Sequence, residues 1–230
     1  MSVLIAVVNC QSRLAYQQCI RETWLPLVQG ADVRFFLGPA EREPKADEVF
    51  VECDDSYQGL PSKVKAIARW ASEHNYNHML KLDDDTVVKP QQLLASNFQS
   101  SDFVGHRNDI RPYPVPYGFA YWLSRRAMKL VANAELPIGN NDEVWVTSTL
   151  SKEGIVLRHD PRYLMHTGNR YDFAPSTPRP LRAPPRPKLM EPVVENPFVW
   201  VMYIPWVGYR ELPEELNIRE MKRLFKEVTQ

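Results

Sequence analysis

Three aspartates stand side by side in the segment LKLDDDTVV, Leu80–Val88. Adjacent carboxylates repel one another, and carboxylates set among apolar residues are costly unless a cation neutralises them. If the chain continues as a strand, its side chains alternate, so Asp83 and Asp85 share one face and Asp84 takes the other. Two hard oxygen donors on one face suit Mg2+ or Mn2+, ions that keep positions open for phosphate oxygens. Such an ion could hold a diphosphate and neutralise charge on it as it departs. The plain alternative is a solvated acidic turn.

The elements around the triplet say where it would sit. Val3–Val8 is an apolar run that reads as a buried strand, followed by a helical stretch near Arg13–Trp24. Val33–Leu37 and Glu48–Glu52 read as the second and third strands. Pro61 is able to open a helix, in which Val64, Ile67, Ala68 and Ala71 recur at helical spacing. His78–Leu82 is then the fourth strand, with the carboxylates at its C-terminal end. Later, DFVGH and GFAYWL read as strands, Ser124 as the cap of a helix over Arg125–Asn133, and Asn140–Asp142 as the start of another helix ending before Gly154. Strands alternating with helices predict an α/β layered fold with a mostly parallel sheet. Such sheets bind ligands at the carboxyl ends of their strands, which is where the triplet lies. The spacing DDDTV also fits the nucleophile loop of haloacid-dehalogenase-type phosphatases. That loop follows the first strand of its domain, whereas three predicted strands precede it here.

Composition narrows the partners. The 230 residues are 44% hydrophobic with six Trp, enough for a sizeable core. Lys+Arg and Asp+Glu both number 28, so any electrostatic function must come from local clustering. Three cysteines, Cys10, Cys19 and Cys53, form neither a disulfide framework nor a zinc module. The apolar run at the start is too short to span a bilayer and lacks a basic leader, and the chain carries no Asn-x-Ser/Thr acceptor. These features predict a cytoplasmic protein without a membrane span, unless a leader was trimmed from it.

Several segments line up around the triplet in one order: IRETW (Ile20–Trp24), FFLG (Phe35–Gly38), DSYQGLPSKV (Asp55–Val64), LKLDDDTVV, YPVPYGFAYWLS (Tyr113–Ser124) and NDEVWV (Asn141–Val146). Together they resemble the β-1,3-glycosyltransferases of glycosyltransferase family 31, the galactosyl-, N-acetylglucosaminyl- and Fringe-type enzymes. The match covers about Val3–Thr167. It departs from the family pattern at Gly59, Pro61 and Val64, swaps the acids of Glu-Asp-Val to Asp142-Glu143, and has Thr147 where the family has glycine.

The resemblance implies a GT-A fold: a Rossmann-like sandwich that takes a UDP-sugar donor and a divalent metal and inverts the anomeric carbon. It implies Asp83–Asp85 as the metal and nucleotide motif, with Asp85 the direct metal ligand and Asp83 facing metal waters or the ribose. His166, in YLMHTG, stands where such enzymes supply a late histidine to the metal; otherwise it is an ordinary loop residue. Asp55 and Asp84 join the donor site. Arg21 and Lys63 serve it by charge or by bracing its loops, and Arg21 equally fits a structural ion pair. An inverting transfer needs a base facing the acceptor hydroxyl. Glu143 aligns with it and Asp142 is the alternative; both acids would also simply favour a helix N-terminus. Trp122 and Trp145 are open to sugar stacking or to core packing.

The implied activity is a metal-dependent transfer of a hexose or N-acetylhexosamine to a glycan, a protein or a hydroxymethylated DNA base. The alternative of another class is a non-catalytic nucleotide-sugar or glycan binder. Residues 1–172 form the expected transferase domain. Residues 173–230 form an extension with eight prolines in Pro175–Pro197 and then an amphipathic helix over Pro213–Val228 that packs on the domain. Arg179, Arg182, Arg186 and Lys188 make the proline-rich strip basic. It either wraps the domain or steers an anionic acceptor such as DNA.

Overall fold

The first strand, β1 (Val3–Val8), is buried along its whole length. A strand covered on both faces needs apolar side chains on both, hence its unbroken hydrophobic run. The structure is a computed structural model and describes residues 2–108, 113–167, 199–203 and 214–229, with the backbone alone for 164–167 and 199–203.

After β1 come α1 (Leu14–Glu22), β2 (Asp32–Leu37), β3 (Glu48–Phe50), α2 (Leu60–Glu73), β4 (His78–Asp83) and β5 (Thr86–Val88). Then follow α3 (Pro90–Leu94), β6 (Phe103–Arg107), β7 (Pro116–Ser124), α4 (Arg125–Asn133) and α5 (Asp142–Ser151). The last elements are β8 (Arg158–His159), β9 (Tyr163–Thr167), β10 (Val199–Tyr203) and α6 (Glu214–Thr229). The main sheet has seven strands in the order β3-β2-β1-β4-β7-β6-β8. Only β7 runs against its neighbours; the pairs β1–β2, β1–β4, β2–β3 and β6–β8 are parallel. A smaller sheet sets β10 between β5 and β9. The α/β sandwich with a mostly parallel sheet is therefore the fold observed.

Alternation along β1 builds two cores. Val3, Ile5 and Val7 join Tyr16, Ile20 and Trp24 on the α1 side. Leu4, Ala6 and Val8 join Val64, Ile67, Ala68 and Ala71 of α2 and Met128, Val131 and Val146 of α4 and α5. Ser124 caps α4 by accepting a hydrogen bond from the Ala127 amide at 3.2 Å. Asn75 follows α2 at φ 62°, a left-handed residue that lets the chain turn into β4.

The C-terminal helix belongs to the α1 core. Met221 and Leu224 of α6 are buried in the same cluster as Tyr16 and Trp24, and α6 lies against α1 and β5. The proline-rich strip with Arg179, Arg182, Arg186 and Lys188 lies outside the described residues. All three cysteines are free thiols. Among the described residues no helix is long and apolar enough to cross a membrane.

Candidate active site

Strand order reverses direction at β1, with β2 on one side and β4 on the other. Doubly wound sheets open a crevice at such a point, outside the strands' carboxyl ends. Val8 pairs with Asp83 there, so Asn9 and the acidic triplet leave the sheet side by side.

The triplet does not continue as a strand. β4 stops at Asp83, and Asp84–Asp85 form a turn into β5. The expectation that strand alternation sets Asp83 and Asp85 on one face is thereby corrected. The cause is a half-buried cation on the α1 side. Arg13 Nη2 donates to Asp84 Oδ1 at 2.6 Å, and Arg13 Nε reaches both Asp84 oxygens at 3.1 and 3.0 Å. Asn9 Nδ2 donates to Asp84 Oδ2 at 2.6 Å. The same guanidinium stands 3.6 Å from Asp85 Oδ2 and 3.9 Å over the Tyr16 ring. Asp83 turns the other way, to Lys81 at 2.6 Å.

Two cations thus face three carboxylates, and negative charge is left over. Burial raises the Asp84 carboxyl above its ordinary range, against the pull of Arg13 and Asn9. Burial, then the charges of Asp84 and Asp83, push Asp85 up to about 8. A further cation at this point would relieve that repulsion. Asp84 has both oxygens engaged. Among the described residues no side chain donates a hydrogen bond to Asp85, whose side chain is 25% exposed, or to the second oxygen of Asp83. Among the described residues no three His, Cys, Asp or Glu side chains are grouped to close around a metal. One or two carboxylates with open positions is how Mg2+ or Mn2+ is usually held beside phosphate, so Asp85, with the second oxygen of Asp83 two residues before it, has the donor chemistry such an ion takes. His166 lies on β9, where its backbone pairs with Met202; its side chain lies outside the described residues.

Asp55 and Lys63 tie the crevice loops together. Asp55 accepts from the Gly38 amide at 2.6 Å, from the Gln11 amide at 2.8 Å and from Lys63 Nζ at 2.5 Å. Lys63, fully enclosed, also donates to the Asn9 carbonyl at 2.6 Å. A Cβ on Gly38 would fall 2.6 Å from the Asp55 Cβ, so this close approach requires glycine. Arg21 is engaged elsewhere: it pairs with Asp47 through two 2.8 Å hydrogen bonds and stands 3.6 Å from Glu48. It reaches the triplet only through Gln17 and Asn9. Of its possible roles, loop bracing and ion pairing are what the geometry supports. Trp24 plays a similar part, donating from Nε1 to the Thr86 carbonyl just past the triplet at 3.1 Å.

Beyond Lys81 the crevice is bounded by β7 and the first turn of α5. Asp142 and Glu143 both lie in that turn, but their surroundings differ. Asp142 is 3% exposed, accepts from the Tyr121 hydroxyl at 2.8 Å and lies 3.7 Å from Lys81. Burial raises its pKa, with Lys81 opposing. Glu143 is half-buried and leans over Gly118: a Cβ there would meet Glu143 Oε2 at 3.3 Å. Lys81 Nζ holds the Gly118 carbonyl at 2.6 Å from beneath. Burial pulls the Lys81 ammonium down, but Asp142 and Asp83 more than offset it and keep it charged. Tyr57, 69% exposed, stands within the electrostatic reach of Glu143, Asp142 and Asp83.

Lys81, Arg13, Asn9 and Gly118 were not singled out from sequence. For Lys81 the signal was present, since a lysine between two leucines in a buried strand must point at an acid. Trp122 is wholly buried, stacked on Phe98 at 3.8 Å, and Trp145 donates to the Glu135 carbonyl with 6% of its surface exposed. Both are core residues.

No family model and no curated protein matches the chain in sequence. Solved structures do match in shape. One is a glycosyltransferase involved in glycosylation of the major capsid of PBCV-1, with TM-score 0.51 and 13% identity over 97% of this chain and 100% of that one. Another is the galactosyltransferase LgtC in complex with donor and acceptor sugar analogues, with TM-score 0.50 and 10% identity over 100% of this chain and 97% of that one. At these identities the likeness shows the fold: the chain has the GT-A architecture of nucleotide-sugar glycosyltransferases.

Proposed function

We propose that the chain is a metal-dependent glycosyltransferase that moves a hexosyl or N-acetylhexosaminyl group from a UDP-sugar to an acceptor hydroxyl with inversion. The observation that carries this reading is the pairing of two acidic groups across Lys81. An electron-rich Asp83–Asp85 turn lies on one side, and a half-buried carboxylate, Glu143, lies on the other. Asp83 and Asp85 would hold a divalent ion, which when bound supplies charge neutralisation to the departing diphosphate.

The chain's own residues do the rest. Asp84 is the anchor of the turn, fixed by Arg13 and Asn9 so that Asp85 faces the crevice. Asp55 and Lys63 hold the loops after β1 and β2 at the spacing a nucleotide requires. Glu143 takes the proton from the acceptor hydroxyl, which must lie opposite the departing diphosphate for the anomeric centre to invert. Asp142 acts on it indirectly, by holding Lys81 and Tyr121. The acceptors open to it are glycans, proteins and hydroxymethylated DNA bases.

The experiment is UDP release with Mn2+ from UDP-glucose, UDP-galactose and their two N-acetyl forms. One donor should be turned over, and chelation should stop it. Binding of a UDP-sugar with no release from any of the four would reduce the protein to a binder.

A further inference from the structure

Exposed apolar side chains are common singly and then need no explanation. Here two of them stand on one loop. Of the large hydrophobic residues left exposed among the described ones, Leu136 and Ile138 sit on the α4–α5 loop, at 50% and 109% exposure. That loop runs directly into Asp142 and Glu143. Five residues of chain span at most about 18 Å, so Ile138 lies within that distance of the proposed base. Two exposed apolar side chains therefore stand on the loop that leads into the proposed base.

Behind the loop the surface is cationic. An open groove of about 1050 Å³ runs between α4 and α5, with Leu130, Leu136 and Trp145 as its apolar floor. Arg125, Arg126, Lys129 and Lys152 line it against two acids, Glu135 and Glu153. Arg125 is held by the carbonyls of Asn75 and Tyr76, and Arg126 by Asp102 and the Glu153 carbonyl. Lys129 and Lys152 have no ion-pair partner among the described residues.

We propose that this edge is a membrane-docking surface, with Leu136 and Ile138 entering the interface of an anionic bilayer and Lys129 and Lys152 meeting its headgroups. Neither signal alone gives stable anchoring, whereas a short apolar insertion joined to nearby cations does. A net positive groove next to a bare Leu–Pro–Ile tip favours lipid over an acidic protein, which would be met by charge without the need for a protruding apolar tip. Docked so, the turn that carries Glu143 lies within about 18 Å of the inserted tip, and the acceptor hydroxyl belongs to a glycan carried by the membrane. That last step rests on the proposed function; the docking does not.

The test is sedimentation with vesicles of phosphatidylcholine alone and of phosphatidylcholine mixed with phosphatidylglycerol. The full chain should bind the anionic vesicles and much less the neutral ones. Leu136→Ser with Ile138→Ser should weaken binding at least about tenfold, since each buried apolar side chain contributes roughly that factor. Lys129→Ser with Lys152→Ser should weaken it several-fold and flatten its dependence on salt. All four positions are exposed or on the groove wall, outside the chemistry, so UDP release into water should stay unchanged in both variants. No binding of the wild type to anionic vesicles overturns the proposal, as does equal binding by the Leu136/Ile138 variant. Capture by soluble polyglutamate without vesicle binding also overturns it, in favour of an acidic protein partner. A wild type that binds vesicles but releases no UDP from any donor leaves docking standing and removes the transferase reading.

Discussion

Glu143 and Asp142 are neighbours in sequence and opposites in environment, and substitution separates them. Glu143→Gln removes a proton acceptor while keeping volume, so sugar transfer should fall about 10²–10⁴-fold with UDP-sugar affinity retained. Activity within a fewfold of wild type would place the base elsewhere. At the triplet, Asp85→Ala should abolish the gain in UDP affinity that Mn2+ provides, read by calorimetry with and without the ion. Equal gains in wild type and variant would end its role as a ligand. Arg21 tests a structural assignment. Its hydrogen bonds hold the Asp47 carboxyl below the usual carboxylate range. A depressed folded-state pKa stabilises the fold above the unfolded value near 3.9, and that stability is lost as pH falls through the lower folded value. Arg21→Gln should therefore cost roughly 1 kcal/mol in urea unfolding at pH 7. The gap to wild type should close progressively below about pH 4. A gap that persists unchanged at pH 2.5 would mean that the ion pair is not its source.

At the scale of elements, the site depends on how β7 and α5 meet. Gly118 lets the α5 carboxylate lie directly on the strand, and Lys81 clamps its carbonyl from the other side. Gly118→Ala brings a methyl to 3.3 Å from Glu143 Oε2, tight enough to move the carboxylate by a few tenths of an ångström. Reactions are sensitive to such displacements. We expect kcat to drop tenfold or more, with the melting temperature and donor affinity little changed. A proportional loss of thermal stability instead would show that the strand, and not the base, had shifted.

For the whole molecule, the two ends of the chain close one core. Cys19 and Tyr16 of α1 lie against α6, where Asn217 donates to the Tyr16 hydroxyl at 2.8 Å, and Tyr16 in turn carries Arg13. Leu224 is 3% exposed in that interface. Leu224→Ala should cost about 2–5 kcal/mol, through lost burial and the cavity left behind. Because α6 and the Arg13–Asp84 clamp share Tyr16, Mn2+-dependent UDP binding should weaken in parallel as the variant approaches its unfolding transition. Urea titration followed both by fluorescence and by UDP binding would show the two curves coincide. A binding curve unaffected through the transition would separate α6 from the site.

Sequence by itself determined which residues could do chemistry and which end of the sheet they occupy. The apolar runs at Val3–Val8 and His78–Leu82, the helical spacing of Val64, Ile67 and Ala68, and the cap at Ser124 are local signals. They appear in the fold nearly where they were read, because burial and capping act over a few residues. The direction of each carboxylate was not local. Asp84 is turned by Asn9 and Arg13, over 70 residues upstream, so the triplet bends where an isolated strand would have alternated. Asp142 and Glu143 have nearly the same chemistry, and only the packing of α5 on β7 and Lys81 buries one and leaves the other at the crevice. Long-range contacts set the field around an acid, and that field decides how readily each carboxylate holds its proton.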